Sequence, residues 1–419
     1  MKVGYSDVDL GQDAVPEETT RPHPVPPLLG LRMLDLSGRI GAYCSKILAD
    51  LGADVVKVEL PSGDRLRFLP PFRDGASGPE AGLLFAYYHH NKRGITLNWE
   101  RDEAQPLLAE LASTADVVLA SPQGEAPRLT GFSADPPSLS WLSGPALTCF
   151  ITPFGLTGPL RHWRATPFTS FAMSGYMHPV GPPEGPPLAM PGQQFYDEAG
   201  LAAAFLVQAV LRGPPELRSQ VIDHSVHEIG LFNKLGTEQY DVRGRIKTRA
   251  TNFGAPPGGI WQCRDGRVDI GAHSTRQWDL FVDLMGRPES LADPIYRDRT
   301  MRIQLFDLLT DIIAGLMSTR SARPLVEAGQ AAGLPCALTQ TGAQFVRNDQ
   351  TAARGYLIRT SREGTGPGEI PGPPFVSMPA LIEYSRSAPA LGESNEALYV
   401  NEMGHSVQDL EQWRSDGLI

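Results

Sequence analysis

The sequence predicts an α/β fold: a doubly wound parallel sheet joined to a second, smaller domain. Three observations predict it. Strand, helix and strand follow one another between residues 31 and 60. Helix and strand alternate again over 104–121, with another strand by 155. A hairpin of different, antiparallel character stands apart at 258–273. Alternation of this kind assembles parallel sheets with helices on both faces, and 419 residues exceed one ordinary domain.

Taken in order, residues 1–28 are polar and proline-containing (PEETTRPHPVPP) and read as an arm or a strap across a partner. LRMLDLS (31–37) is a short apolar strand. Ile40, Cys44, Ile47, Leu48 and Leu51 then recur at helical spacing, Gly52 supplies a C-cap, and DVVKVEL (54–60) is a buried strand. AQPLLAELASTADVVLAS (104–121) repeats the helix and strand, and ALTCFITPFG (146–155) reads as a further strand. QQFYDEAGLAAAFLVQAVLRG (193–213) is a long apolar helix, and VIDHSVHEIG (221–230) is a strand running into another. GGIWQCRDGRVDIGAH alternates on both sides of Asp-Gly, as a hairpin does. Helices follow at TRQWDLFVDLMG and IQLFDLLTDIIAGLM, and a proline-rich stretch leads to a polar tail.

The net charge is −10, the pI is about 5.4 and no lysine- or arginine-rich run is present, which argues against a nucleic-acid or anionic-membrane partner. The N-terminus lacks the apolar stretch of a signal peptide and the apolar runs are short, so a cytoplasmic location is expected. Cys44, Cys149, Cys263 and Cys336 lack metal-ligand spacing and are expected to be small buried hydrophobes, with no metal site.

Several short stretches could carry chemistry. SGRIGA (37–42) places two glycines at a strand-to-helix turn, where backbone N–H groups can approach a phosphate, although such a pair also serves simply as a turn. HHNKRG (89–94) concentrates positive charge on His89, His90, Lys92 and Arg93; taken locally it reads as a solvated charged turn. No GxSxG elbow is present, and Cys336 sits in the apolar setting GLPCA. Between Asp135 and Asp197 the only acidic residue is Glu184. Asp197 opens a helix, where interaction with the helix dipole explains a carboxylate without catalysis.

The ordered series LRMLDLS, ILADLGADVVKVELPSGDRLR, NKRGITLNW, ITPFGLTGP, QVIDHSVHE, GGIWQCRDGRVDIGA, GLPCA, RNDQTAARGY and APALGESNE resembles the family III CoA-transferases, also called the CaiB/BaiF family. The likeness runs from about Leu31 to Tyr399. It implies a Rossmann-like large domain built from both ends of the chain, a small domain, and two chains interlocked as threaded rings. The boundaries expected from it are an arm at 1–28, the large domain's first part at 29–224, the small domain at 225–325, and a return with a C-terminal tail at 326–419. The implied substrate is coenzyme A in acyl-CoA form, passed to a free carboxylic acid. An aspartate attacks the thioester, forms a mixed anhydride and then carries CoA, dividing one difficult exchange into easier steps.

The resemblance also marks a departure. The family motif near GYDPVAQALSG, registered on Ser174 and Gly175 of RATPFTSFAMSG (164–175), places the nucleophilic aspartate on Pro167. A slip of one residue supplies only Thr166 or Phe168. The racemase branch fares little better: its base histidine falls on Thr166 and its glutamate near Gly258, leaving Asp197 as a weak catalytic candidate. NFGAPPGG (252–259) stiffens the family's glycine-rich loop with Ala255, Pro256 and Pro257, and ASPQG shortens another nucleotide-side stretch. Arg39, Lys92, Arg93, Gly258 and Gly259 are the residues expected near CoA. The reading expected from these features is the non-catalytic half of a heteromeric CoA-transferase. The alternatives are a homodimeric isomerase or racemase using Asp197 or His178, a stand-alone CoA-transferase of altered chemistry, or a non-enzymatic CoA-binding protein. Phe168, Phe171 and Tyr176 could line an acyl pocket, or be core.

Overall fold

The main sheet has six strands, the inner four rich in buried aliphatic side chains, as a sheet covered on both faces requires. In the computed structural model, which describes residues 26–73, 78–121, 146–182, 184–232, 244, 249, 254–359, 368–377 and 380–419, these strands are β1 (Arg32–Leu36), β2 (Asp54–Glu59), β3 (Arg93–Thr96), β4 (Val117–Ala120), β5 (Leu147–Thr152) and β6 (Val221–Ser225). They pair in parallel in the order β3-β2-β1-β4-β5-β6. The direction of winding therefore reverses between β1 and β4, and the crevice beyond their carboxyl ends is where open α/β sheets bind ligands.

The helices divide between the two faces. On one side α1 (Ala42–Asp50), α4 (Pro167–Met173), α5 (Gln194–Arg212) and α6 (Val226–Phe232) close over Met33, Val55, Leu119, Cys149 and Ile151. On the other, α3 (Gln105–Ser113) and the C-terminal helix Val407–Ser415 cover Leu34, Val56, Val58, Val118 and Phe150. The turn after α1 follows the sequence expectation: Gly52 takes φ +97°, and the N–H groups of Gly52 and Ala53 return to the carbonyls of Ala49 and Leu48. α2 (Leu83–Tyr88) packs beside α1.

A separate three-stranded antiparallel sheet joins β7 (Gly259–Gln262), β8 (Arg267–Ile270) and β9 (Cys336–Leu338). With α7 (Thr275–Leu284), α8 (Arg299–Gln304), α9 (Phe306–Ser318) and α10 (Ala322–Ala331) it encloses its own core around Trp278, Phe281, Leu309 and Ile313. α6, beyond residue 224, rests on α4 and α5. Leu334, Cys336 and Leu338, beyond 325, join the core of the antiparallel sheet. All four cysteines are buried and unbridged. After α11 (Gly342–Val346), α12 (Asp349–Ala353) and the pair β10 (Leu357–Arg359) with β11 (Glu369–Pro371), the chain returns to the edge of the main sheet. There the Thr96 N–H on β3 donates to Asn395 Oδ1, while the Thr96 hydroxyl accepts from the Asn395 amide and its carbonyl from the Tyr399 hydroxyl, at 2.7–2.9 Å.

Expectations for the arm at residues 1–25, the ASPQG stretch from 122 and residues 252–253 lie outside the described residues. Among the described residues no helix is long and apolar enough to cross a membrane.

The packing of α5 on α1 predicts its own sensitivity. A Cβ on Gly200 would stand 2.9 Å from both the Cys44 nitrogen and the Tyr43 Cβ, where α5 meets α1. Gly200→Leu is expected to lower stability by about 1–3 kcal/mol through overpacking, measurable by chemical denaturation.

Candidate active site

Asp35 is the only charged residue of β1 away from its first position, and it is fully buried. An ionised carboxylate there requires partners. It accepts the Ser37 N–H at 3.0 Å and the Ser37 hydroxyl at 2.6 Å, and pairs with Lys92 at 3.2 Å. Lys57 is its neighbour across the strand; its Nζ meets the Ser37 carbonyl and pairs with Asp64 at 2.9 Å. Burial alone would raise the Asp35 pKa, but Lys57, Lys92 and the Ser37 and Ser45 hydroxyls hold it below the ordinary value. On β2, Glu59 receives both Nε and Nη2 of buried Arg67 at 2.7 Å. These pairs anchor the turn after β1 and the turn after β2.

Between the two turns lies a cavity of about 330 Å³ at the carboxyl ends of β1 and β2. Arg39, Lys57 and Arg65 line it against Glu59 and Asp64, Phe68 supplies an exposed aromatic ring, and the edge of the core residue Trp99 closes it. An anionic group with a flat ring suits such a lining. Ser121, just past β4 at the reversal of winding, has a buried hydroxyl with no hydrogen-bond partner among the described residues.

Arg39 reaches from this turn to a second cluster. It donates to the Gln193 side-chain carbonyl, one residue before α5. Asp197, in the first turn of α5, accepts the Tyr88 hydroxyl at 2.8 Å. Burial pushes the Asp197 pKa up to about 6, against the Tyr88 hydrogen bond and Arg39, with Glu198 adding to the rise. The side-chain nitrogen of Gln193 is buried without a partner among the described residues. Asp197 is thus more than a helix-dipole carboxylate: it is a half-desolvated acid beside a phenol.

The structure corrects the reading of residues 89–94. They are not a solvated turn: His89 and Lys92 are fully buried and His90 nearly so. Lys92 Nζ faces Asp35, the Ser45 hydroxyl at 2.7 Å and His89 Nδ1 at 2.9 Å, so all three of its N–H bonds have acceptors and none remains for a phosphate. Burial lowers the Lys92 pKa to about 8, with Asp35 opposing, and lowers that of His89 far below its ordinary value. Arg93 grips Asp54 at 2.7 and 2.8 Å and also Glu402. Asp54 is the first residue of β2, so Arg93 reaches toward the amino ends of the strands and away from the ligand crevice.

Pro167 is buried as the first residue of α4. Thr166 caps that helix, accepting the Thr169 N–H at 3.3 Å in a capping box, and a proline at this position sacrifices no helical hydrogen bond. Phe168 is 62 % exposed, whereas Phe171 is core, against Phe195 and Tyr176. His178 is exposed. Gly259 opens β7 and Gly258 precedes it, with the Gly258 N–H donating to the Ala255 carbonyl and the Trp261 indole to the Pro257 carbonyl. Arg39 is therefore the one predicted CoA residue that lines the cavity between the turns after β1 and β2. Sequence reasoning missed Tyr88, Gln193 and Arg65; the single charged residue in an apolar strand, Asp35, was the available signal that a buried polar layer surrounds them.

Residues 28–395 match the profile of CoA-transferase family III. The chain belongs to this family. The family member named succinyl-CoA:(R)-benzylsuccinate CoA-transferase subunit BbsE of Thauera aromatica is 27 % identical over 402 residues, covering 93 % of this chain and 97 % of that one. The formyl-CoA:oxalate CoA-transferase of Streptomyces coelicolor is 28 % identical over 420 residues, covering 94 % and 99 %. A CaiB/BaiF family protein from Brucella suis superposes with a TM-score of 0.77 at 24 % identity, over 90 % of this chain and 99 % of that one, and so shares the fold. Among the described residues no group of three or more His, Cys, Asp or Glu side chains is placed to hold a metal ion.

Two substitutions probe the site. Lys92→Met leaves Asp35 with one cationic partner fewer in a fully buried place; a loss of about 3–5 kcal/mol is expected by urea denaturation. Asp197→Asn acts through pH. With the carboxyl pKa raised to about 6 in the folded chain, the native state binds its proton more tightly than the unfolded state. That stability is fully present below the unfolded pKa and disappears as pH rises through 6. The variant should therefore gain on the parent protein by up to about 3 kcal/mol between pH 4 and pH 7.5, read from paired denaturation curves.

Proposed function

We propose that this chain is the supporting subunit of an acyl-CoA:carboxylate CoA-transferase and works with a paralogous chain that carries the nucleophilic aspartate. The observation that carries this reading is Pro167: at the position where the resemblance places the nucleophile, the ring is buried in the first turn of α4. A slip of one residue does not rescue the chemistry. The Thr166 hydroxyl is committed to the helix cap and Phe168 is a hydrocarbon in solvent. A carboxylate is required because only an acid can form the anhydride that the CoA thiolate reopens. The Thauera aromatica relative, itself named as a subunit, supports a heteromeric arrangement.

Within such an enzyme this chain binds and orients. The cavity between the turns after β1 and β2 would take the nucleotide end of CoA, with Arg39 and Arg65 toward phosphate and Phe68 against the adenine. The buried pairs behind it hold these turns in place before the ligand arrives, which lowers the ordering cost of binding. The interlocked dimer of the family would bring the partner's aspartate to the joint site.

A second reading rests on Asp197. A carboxyl titrating near 6 beside the Tyr88 hydroxyl could move a proton to or from an acyl-CoA α-carbon, as an isomerase or racemase requires.

Intact-mass spectrometry after succinyl-CoA and borohydride or hydroxylamine trapping separates the readings. The expected result is no adduct on this chain alone and, on co-expression with a paralogue, an adduct on the paralogue. A CoA-derived adduct on this chain would overturn the proposal. Incorporation of deuterium at the acyl α-carbon, abolished by Asp197→Asn, would establish the second reading instead.

A further inference from the structure

At the end of the β7/β8 hairpin opposite Gly258 and Gly259, a cavity of about 490 Å³ opens between the antiparallel sheet, α10 and the segment that follows β9. Three guanidinium groups from separate elements line it: Arg267 at the start of β8, Arg323 in the first turn of α10, and Arg347 just after α11. In a chain of net charge −10 this is a local reversal of sign. Arg267 spends one N–H on the Gln262 side chain at 3.2 Å. Arg323 and Arg347 make no hydrogen bond or ion pair among the described residues.

Two carboxylates also line the cavity. Asp265 is committed to the start of α10, accepting the Ala322 N–H at 2.7 Å, and Asp349 stands in the first turn of α12. Neither pairs with the arginines. The neighbouring amides are oriented: the Gln344 carbonyl accepts the Thr341 N–H at 2.8 Å, which turns its NH₂ away from that bond, and the Asn348 amide donates to Gln340 at 3.3 Å. Leu338 and Ala343 add apolar surface.

We propose that this cavity binds a small organic molecule carrying two or more carboxylate or phosphate groups, at a site separate from the one proposed for CoA. Planar forks of donors arriving from three directions match several oxyanions on one ligand better than a single charge. The volume lies within the range of small-molecule sites and exceeds the needs of a lone inorganic ion.

The test is isothermal titration of the full-length protein with citrate and, separately, with inorganic pyrophosphate. Saturable binding of at least one probe is expected, weakening as salt rises, and at least tenfold weaker in Arg323→Ala/Arg347→Ala. Arg323→Lys/Arg347→Lys should lie between, since charge remains and the forked geometry is lost. In the Arg39→Ala background, where the other cavity has lost an anion-binding group, a saturable binding event should remain, and adding Arg323→Ala/Arg347→Ala should remove it. Which probe binds distinguishes a carboxylate from a phosphate ligand. Absence of binding by both probes at millimolar concentration would overturn the proposal, as would a double alanine variant of native circular dichroism that binds unchanged.

Discussion

The ionic layer buried under the carboxyl ends of β1 and β2 is the constraint on which the rest depends. Asp35, Lys57, Lys92, Glu59 and Arg67 are each almost wholly removed from water, and none could remain charged without the others. Each pair joins segments distant in sequence. Lys92 ties the approach to β3 to β1 and, through Ser45, to α1; Arg67 ties the turn after β2 to its strand and, through the Pro389 carbonyl at 3.0 Å, to the returning C-terminal segment. Replacing such pairs with hydrocarbon could leave a stable protein, but the turns that frame the cavity would no longer be held from behind.

This layer also explains why the densest positive stretch is not the ligand-facing one. Lys92 is consumed in neutralising Asp35, and Arg93 in holding Asp54 and Glu402 near the opposite ends of the strands. Among the cations that line the cavity, Arg39 stands alone in a neutral turn and Arg65 lies in the turn after β2, two residues before the buried Arg67. The cavity's character comes from two loops brought side by side by parallel pairing of β1 with β2.

Around α4 the same physics has a different outcome. Thr166, Pro167 and Thr169 form a well-made helix start, every one of them satisfied by local geometry. That stretch is optimised as a helix terminus and carries no group poised for acyl chemistry. The polar strain of the neighbourhood sits instead at Asp197, Tyr88 and the orphaned Gln193 nitrogen on the adjoining helices. Were the chain to act on an acyl group itself, that is where the chemistry would be found.

The sequence by itself determined the parallel sheet, its helices, the hairpin and the family, because these rest on local periodicity, on turn residues such as Gly52 and on motifs that survive in order. Tertiary structure decided which charges are buried and which face a cavity. His89, Lys92 and Arg93 read as solvent-exposed from their neighbours, yet their environment is made by Asp35, Ser45, Asp54 and Glu402, up to 309 positions away. Arg267, Arg323 and Arg347 are likewise unremarkable one by one along the chain and meet only when β8, α10 and the segment after β9 pack together. The side-chain charge is written in the sequence, but the dielectric around it and the partners it finds are properties of the packed chain.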